Sequence, residues 1–161
     1  MSTKKKAILL TYGEGGHAAQ MLRLAKFLPA IESASYVVYS DDSKQFNGGD
    51  DYFPCLEIRD KHSKQSIFKT LQNIVRSFRG AVLPFSRYRV KLVISTGPGH
   101  VILPSAIARI LGIKVIHIET WSRFETKSFT GRIMYWIANE FWVQNKSLLK
   151  LYPKSTYVGL L

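Results

Sequence analysis

Short apolar runs alternate with amphipathic stretches along most of the 161-residue chain. Ala7-Ile8-Leu9-Leu10-Thr11-Tyr12, Tyr36-Val37-Val38-Tyr39, Leu92-Val93-Ile94-Ser95 and Val115-Ile116-His117-Ile118 are too short for buried helices and rich in aliphatic residues, so they read as strands. Phe141-Trp142-Val143 and Thr156-Tyr157-Val158 read the same way, and Leu56-Glu57-Ile58 as a shorter strand. Between them, Ala18, Met21, Leu22, Ala25 and Leu28 recur at helical spacing up to Pro29. Further helices are predicted over residues 101–111, stopped by Gly112, over 131–138 and over 147–151. Residues 41–51 are polar, carry Gly48-Gly49 and read as a loop.

Strand and helix in alternation predict an α/β fold, a Rossmann-like doubly wound and mostly parallel sheet, in one domain spanning residues 1–161. Ligands of such sheets bind at the carboxyl ends of the strands, so the residues that follow each strand are the ones to weigh.

Two strand-to-helix turns are glycine-rich. Gly13-Glu14-Gly15-Gly16-His17 follows the first strand. Glycines there let backbone N–H groups face an anion at a helix start, but spacing alone suits a tight structural turn equally well. The Lys-Ser/Thr pair of a P-loop is missing, and Ala18 stands where a dinucleotide fingerprint has its third glycine. His17, on the first helical turn, can take a proton from a hydroxyl or cap and pack the helix. Ser95-Thr96-Gly97-Pro98-Gly99 forms the second turn and would face the same crevice. Glu119 closes the next strand at that edge, with Ser122 and Arg123 behind it as candidate anion holders. Thr130 reads as a helix cap.

Residues 61–91 contain eight Lys or Arg and no acid. Inside that stretch Ile67, Phe68, Leu71, Ile74, Val75, Phe78 and Val82 follow the rhythm of one helical face, and Leu83-Pro84-Phe85 continues the apolar character. Any crossover helix must bury one face, so the stripe is expected in the core. The one-sided charge and the apolar tail suit an anionic membrane surface, met through Phe68, Lys69, Arg76, Phe78, Arg79, Phe85 and Arg87.

Composition narrows the partners. A formal net charge of +12 favours an anionic one. Aromatics are not interleaved with the basic residues and no nucleic-acid motif occurs, which argues against nucleic acid. A single cysteine, Cys55, excludes an internal disulfide. No apolar run is long enough to span a bilayer. No metal-ligand spacing stands out, and neither a metal nor a cofactor is expected.

Taken together, Gly13-Glu14-Gly15-Gly16-His17, Ser95-Thr96-Gly97-Pro98-Gly99, Ile118-Glu119-Thr120-Trp121-Ser122-Arg123, Ser128-Phe129-Thr130-Gly131-Arg132, Phe141-Trp142-Val143-Gln144 and Tyr157-Val158-Gly159 resemble a known family in order and over nearly the whole chain. It is the membrane-associated subunit of two-component GT-B glycosyltransferases. One branch anchors the eukaryotic dolichol-linked UDP-GlcNAc transferase, and the other comprises bacterial capsular and exopolysaccharide enhancer proteins.

The resemblance implies the amino-terminal, acceptor-side half of a GT-B enzyme, with a separate carboxyl-terminal-half subunit binding the nucleotide sugar, expected to be a UDP-sugar. The acceptor would be a lipid-diphosphate-linked saccharide in capsule or exopolysaccharide synthesis, at the cytoplasmic face of a bacterial plasma membrane. In that setting His17 and Glu119 are the candidate catalytic residues. Gly13, Glu14, Gly15, Gly16, Thr96, Gly97, Pro98, Gly99, Ser122 and Arg123 are the candidate acceptor and diphosphate binders. The eukaryotic subunit carries an amino-terminal transmembrane anchor that this sequence lacks, so peripheral attachment is expected instead. A non-catalytic scaffold that recruits and activates the partner is the alternative.

Overall fold

The computed structural model describes residues 4–28, 34–41, 48–55 and 67–161, with the side chains of 67–75 left aside. Seven strands form one sheet in which every pairing is parallel. They are β1 (Lys6–Tyr12), β2 (Ser35–Ser40), β3 (Asp51–Pro54), β4 (Arg89–Ser95), β5 (Lys114–Ile118), β6 (Glu140–Val143) and β7 (Thr156–Tyr157), and the order across the sheet is β3-β2-β1-β4-β5-β6-β7. The chain starts in the middle, winds to one edge, then crosses to the other side. The switch point therefore lies between β1 and β4, and the carboxyl ends of those strands carry the two glycine turns.

Alternation along β1 feeds two cores. Ala7 and Leu9 join a cluster that includes Ala81, Ala108 and Met134. Those three residues belong to α2 (Ile67–Arg87), α3 (Ile102–Ile110) and α4 (Phe129–Ile137). Ile8, Leu10 and Tyr12 point the other way, onto Ala18, Met21 and Leu24 of α1 (Gly16–Ala25). Helices thus cover both faces of the sheet, as expected of a doubly wound fold.

Several local expectations need correction. A third strand exists at Asp51–Pro54, partly inside the stretch read as a loop, while the expected strand at Leu56-Glu57-Ile58 lies outside the described residues. On α1 the buried set is Ala18, Gln20, Met21 and Leu24, and Leu22 is exposed, so the packed face is rotated from the one read in the sequence. Pro29 lies outside the described residues. α4 starts two residues earlier than expected, and its cap is Ser128, whose Oγ accepts from Gly131 N at 2.8 Å, rather than Thr130.

α2 departs most from its reading. It continues through Pro84 to Arg87. Its contact with the sheet is made by small residues: Ser77, Ala81 and Pro84 are buried, and a side chain at Gly80 would meet the Tyr39 ring and the Pro54 carbonyl. Phe78, from the stripe expected in the core, is 52% exposed. Small residues let this part of the helix approach the sheet closely, and Phe78 is turned aside. Phe85 is instead packed against the core, and Arg87 stacks over Phe53 and pairs with Asp51 at 3.8 Å. Phe85 is thereby turned toward the core, while the Arg87 side chain stays 60% exposed. Arg76 and Arg79 are exposed, and the side chains of Phe68 and Lys69 are outside the described set. No helix among the described residues is long and apolar enough to cross a membrane.

Candidate functional site

β1 and β4 end side by side, and their turns are sewn together. Thr96 N donates to Thr11 O at 3.1 Å and Gly13 N to Gly97 O at 2.9 Å. A side chain at Gly13 would overlap the Pro98 ring, so only glycine allows the two turns this approach. Asp41, after β2, accepts from Glu14 N at 3.0 Å and holds the first turn from the other side. Gly15 takes φ 69° to start α1, and no side chain among the described residues caps that helix. Its first-turn N–H groups are therefore left for solvent or an anion.

His17 follows immediately. Its Nδ1 lies 2.5 Å from the carbonyl oxygen of Thr96. A carbonyl can only accept, so Nδ1 carries the hydrogen and Nε2 of the neutral ring keeps its lone pair. Thr96 holds the residue a second time, its hydroxyl donating to His17 O at 3.0 Å. Burial pushes the imidazole below its usual pKa, and the Thr96 bond and the carboxylates of Asp41 and Glu119 only partly oppose this. The ring also lies against Gly97, where an added Cβ would come within 2.9 Å of it and where φ is 86°.

A cleft of about 180 Å³ opens beside this ring. Thr96, Gly97 and Pro98 form one wall, and Glu119, Thr120, Ser122 and Arg123 another. Ser128 and Thr130 close the side toward α4. The loop carrying Ser122 and Arg123 is anchored by Asn145, whose Nδ2 donates to Trp121 O at 2.9 Å and Arg123 O at 2.6 Å, and by Ser147 to Phe124 O. Gly16 does not line the cleft; a Cβ there would lie 3.8 Å from the Trp121 indole nitrogen. Gly13, Glu14, Gly15 and Gly99 are not among the residues lining the cleft, although the first three shape the start of α1 above it.

Glu119 is brought to the cleft but is fully engaged. Its carboxylate accepts from Thr120 N at 3.0 Å, from Ser128 Oγ at 2.8 and 3.1 Å, and from Tyr152 Oη at 2.7 Å. Only 1% of the residue is exposed. Gly131 leaves the space this network occupies, since a Cβ there would overlap Glu119 Oε2 and lie 2.6 Å from Tyr152 Oη. The carboxylate ties the end of β5 to the start of α4, and a lone pair free for proton abstraction is not what this geometry offers.

Sequence reasoning missed His117. It is buried on β5, yet it is among the residues lining the cleft, and its Nδ1 sits 3.0 Å from Ser95 Oγ. Burial, aided by the nearby His17, pushes its pKa down to about 3, so the ring is neutral. The one available signal was register: His117 pairs with Ser95 across β4 and β5, two residues before Glu119. Among the described residues no group of three or more His, Cys, Asp or Glu is arranged to hold a metal ion.

A family model described as "Oligosaccharide biosynthesis protein Alg14 like" matches residues 8–161. The UDP-N-acetylglucosamine transferase subunit ALG14 of Rattus norvegicus is 30% identical over 179 residues, covering 94% of this chain and 81% of the relative. Its Saccharomyces cerevisiae namesake is 26% identical over 188 residues, with 99% and 78% covered. Among solved structures, Acinetobacter baumannii MurG has a TM-score of 0.63 at 17% identity over 86% of this chain. A UDP-N-acetylglucosamine 2-epimerase has the same TM-score at 16% identity over 94% of this chain. This chain spans only 41% and 45% of those two proteins, and at such identities the likeness is one of fold.

Proposed function

The chain belongs to the Alg14-like family of oligosaccharide biosynthesis proteins, and on that premise we propose that it is the acceptor-side subunit of a heteromeric glycosyltransferase. A partner subunit, the carboxyl-terminal half of a GT-B enzyme, presents the nucleotide sugar. UDP-N-acetylglucosamine is the donor suggested by the names of the relatives. The acceptor is a saccharide linked through a diphosphate to a lipid. The observation that carries this reading is the state of His17: a neutral imidazole, its Nδ1 hydrogen given to Thr96 O, with Nε2 unpartnered among the described residues, at a cleft beside a start of α1 that none of their side chains caps.

The acceptor hydroxyl attacks the anomeric carbon of the donor sugar. The bond from that carbon to the nucleoside diphosphate breaks, the diphosphate leaves with the electron pair, and His17 Nε2 takes the hydroxyl proton. The N–H groups of Gly15 and Gly16 hold diphosphate oxygens, helped by the helix dipole and by Arg123. Thr96, Gly97, Pro98, Ser122 and the turn of Gly13, Glu14 and Gly99 shape the acceptor side. Glu119 positions the wall made by Ser128 and α4 rather than moving a proton. The exposed basic face of α2, with Arg76, Phe78 and Arg79, rests on an anionic membrane surface, where the lipid acceptor resides. A capsular or exopolysaccharide setting at a bacterial plasma membrane rests on the sequence resemblance alone, since the named relatives are animal and yeast proteins.

Reconstitution tests the reading. The chain and its partner are mixed with labelled UDP-N-acetylglucosamine and N-acetylglucosamine carried on a short isoprenoid diphosphate. Transfer by the pair, and by neither chain alone, is expected. Full transfer by the partner alone would reduce this chain to a recruiting scaffold, and no transfer by the pair would overturn the assignment.

A further inference from the structure

The cleft holds a second imidazole whose tautomer is the reverse of the first. Ser95 is buried, and a buried hydroxyl must find an acceptor for its hydrogen. Among the described residues its partner is His117 Nδ1, at 3.0 Å. Donation from Ser95 Oγ to Nδ1 satisfies both groups, whereas the opposite direction strands the hydroxyl hydrogen in the core. The proton of the neutral ring therefore sits on Nε2. That atom has no partner among the described residues, and His117 is one of the residues lining the cleft. His17 offers the same cleft a lone pair on Nε2. One imidazole accepts and the other donates, and His17 lies near enough to help hold His117 in its neutral form.

We propose that His117, held by Ser95, is a substrate-contacting residue that donates its Nε2 hydrogen to an uncharged oxygen of the acceptor sugar. The inference rests on the glycosyltransferase reading above. A neutral donor on a buried residue suits a hydroxyl or amide oxygen better than a diphosphate, which Arg123 and the start of α1 serve. The contact fixes the sugar so that its nucleophilic hydroxyl meets His17. Nothing is transferred through His117, so it orients the acceptor and leaves the proton to the other ring.

The experiment uses the reconstituted heteromer with the isoprenoid-diphosphate N-acetylglucosamine acceptor and UDP-N-acetylglucosamine. His117→Phe keeps a ring and removes the donor, while His117→Gln can place an amide N–H near the Nε2 position. For Phe the acceptor KM is expected to rise about tenfold, the order of one lost neutral hydrogen bond, with the donor KM unchanged. Gln is expected to recover most of that loss. Ser95→Ala, which leaves the ring but frees its tautomer, is expected to raise the acceptor KM severalfold. Melting midpoints of all three variants separate folding from binding. Variants that fold and keep the wild-type acceptor KM would overturn the proposal, as would a loss in Phe that Gln does not relieve. Absence of transfer in the wild-type heteromer would instead strike the glycosyltransferase reading itself.

Discussion

Thr96 grips His17 at two points: its carbonyl accepts the Nδ1 hydrogen at 2.5 Å, and its hydroxyl donates to the His17 carbonyl at 3.0 Å. The first bond selects the tautomer and the second fixes the turn of α1 that carries the ring. Only the second depends on the side chain. Thr96→Val should therefore preserve the fold while loosening the ring, lowering kcat severalfold, consistent with about 1 kcal/mol for one buried hydrogen bond. Steady-state kinetics of the heteromer check this, with the acceptor KM expected to change less than kcat.

Burial lowers the pKa of His17 below 6.5. The base-competent form is the neutral one, so it prevails at neutral pH and is lost as pH falls through the lowered pKa. The kcat/KM profile should be flat near neutrality and fall on the acid side with a midpoint below 6.5. An acid limb centred above 6.5 would contradict the assignment.

His117 links the site to stability. Its folded pKa is about 3 against 6.5 for the free side chain. Between those values the unfolded chain binds a proton that the folded chain does not, so stability rises with pH across this window and is lost as pH falls from 6.5. The slope from this one residue approaches about 1.4 kcal/mol per pH unit, or about 2 kcal/mol between neutrality and pH 5. Urea unfolding at the two pH values measures it, and His117→Gln should remove that part of the slope.

Glu119 and Gly131 test the engaged carboxylate. Glu119→Gln turns an amide N–H₂ toward hydroxyl and N–H donors and should cost about 2 kcal/mol of stability. Gly131→Ala places a methyl group in the Glu119 carboxylate and should cost about as much or more. Thermal unfolding reads both. The folded fraction of Glu119→Gln should retain transfer activity, which a general base would not.

The basic face of α2 makes a separable claim. Arg76→Glu with Arg79→Glu should reduce flotation with anionic vesicles and leave the melting midpoint near its original value, because both positions are exposed. Phe85→Ala should do the opposite, destabilising by roughly 2–4 kcal/mol through a half-buried core contact.

The strands were legible because apolar runs such as Ala7–Tyr12 and Leu92–Ser95 end at glycine. β3 was not, because Asp51-Tyr52-Phe53-Pro54 is short, opens on an acid and closes on a proline, and gains its strand character by pairing with β2 at the sheet edge. Periodicity identified α2 as a helix and misplaced Phe78 in its packed face. Close packing on the sheet selects Ser77, Gly80 and Ala81 for their size, and a hydrophobic pattern gives small residues little weight. In the site, His17, Thr96 and Glu119 were readable from their places after strands. The role of Glu119 was not, since Ser128 and Tyr152 lie 9 and 33 residues away in sequence. His117 looked like one more core position until the register set it against Ser95.

The most direct test of the central claim is the single-turnover rate of the His17→Ala heteromer, measured with saturating UDP-N-acetylglucosamine and diphosphate-linked acceptor beside the wild type. If His17 supplies the base of a shared active site, the rate should fall by about 10²–10⁴-fold while acceptor binding persists. A folded His17→Ala heteromer that transfers sugar at the wild-type rate would contradict the account.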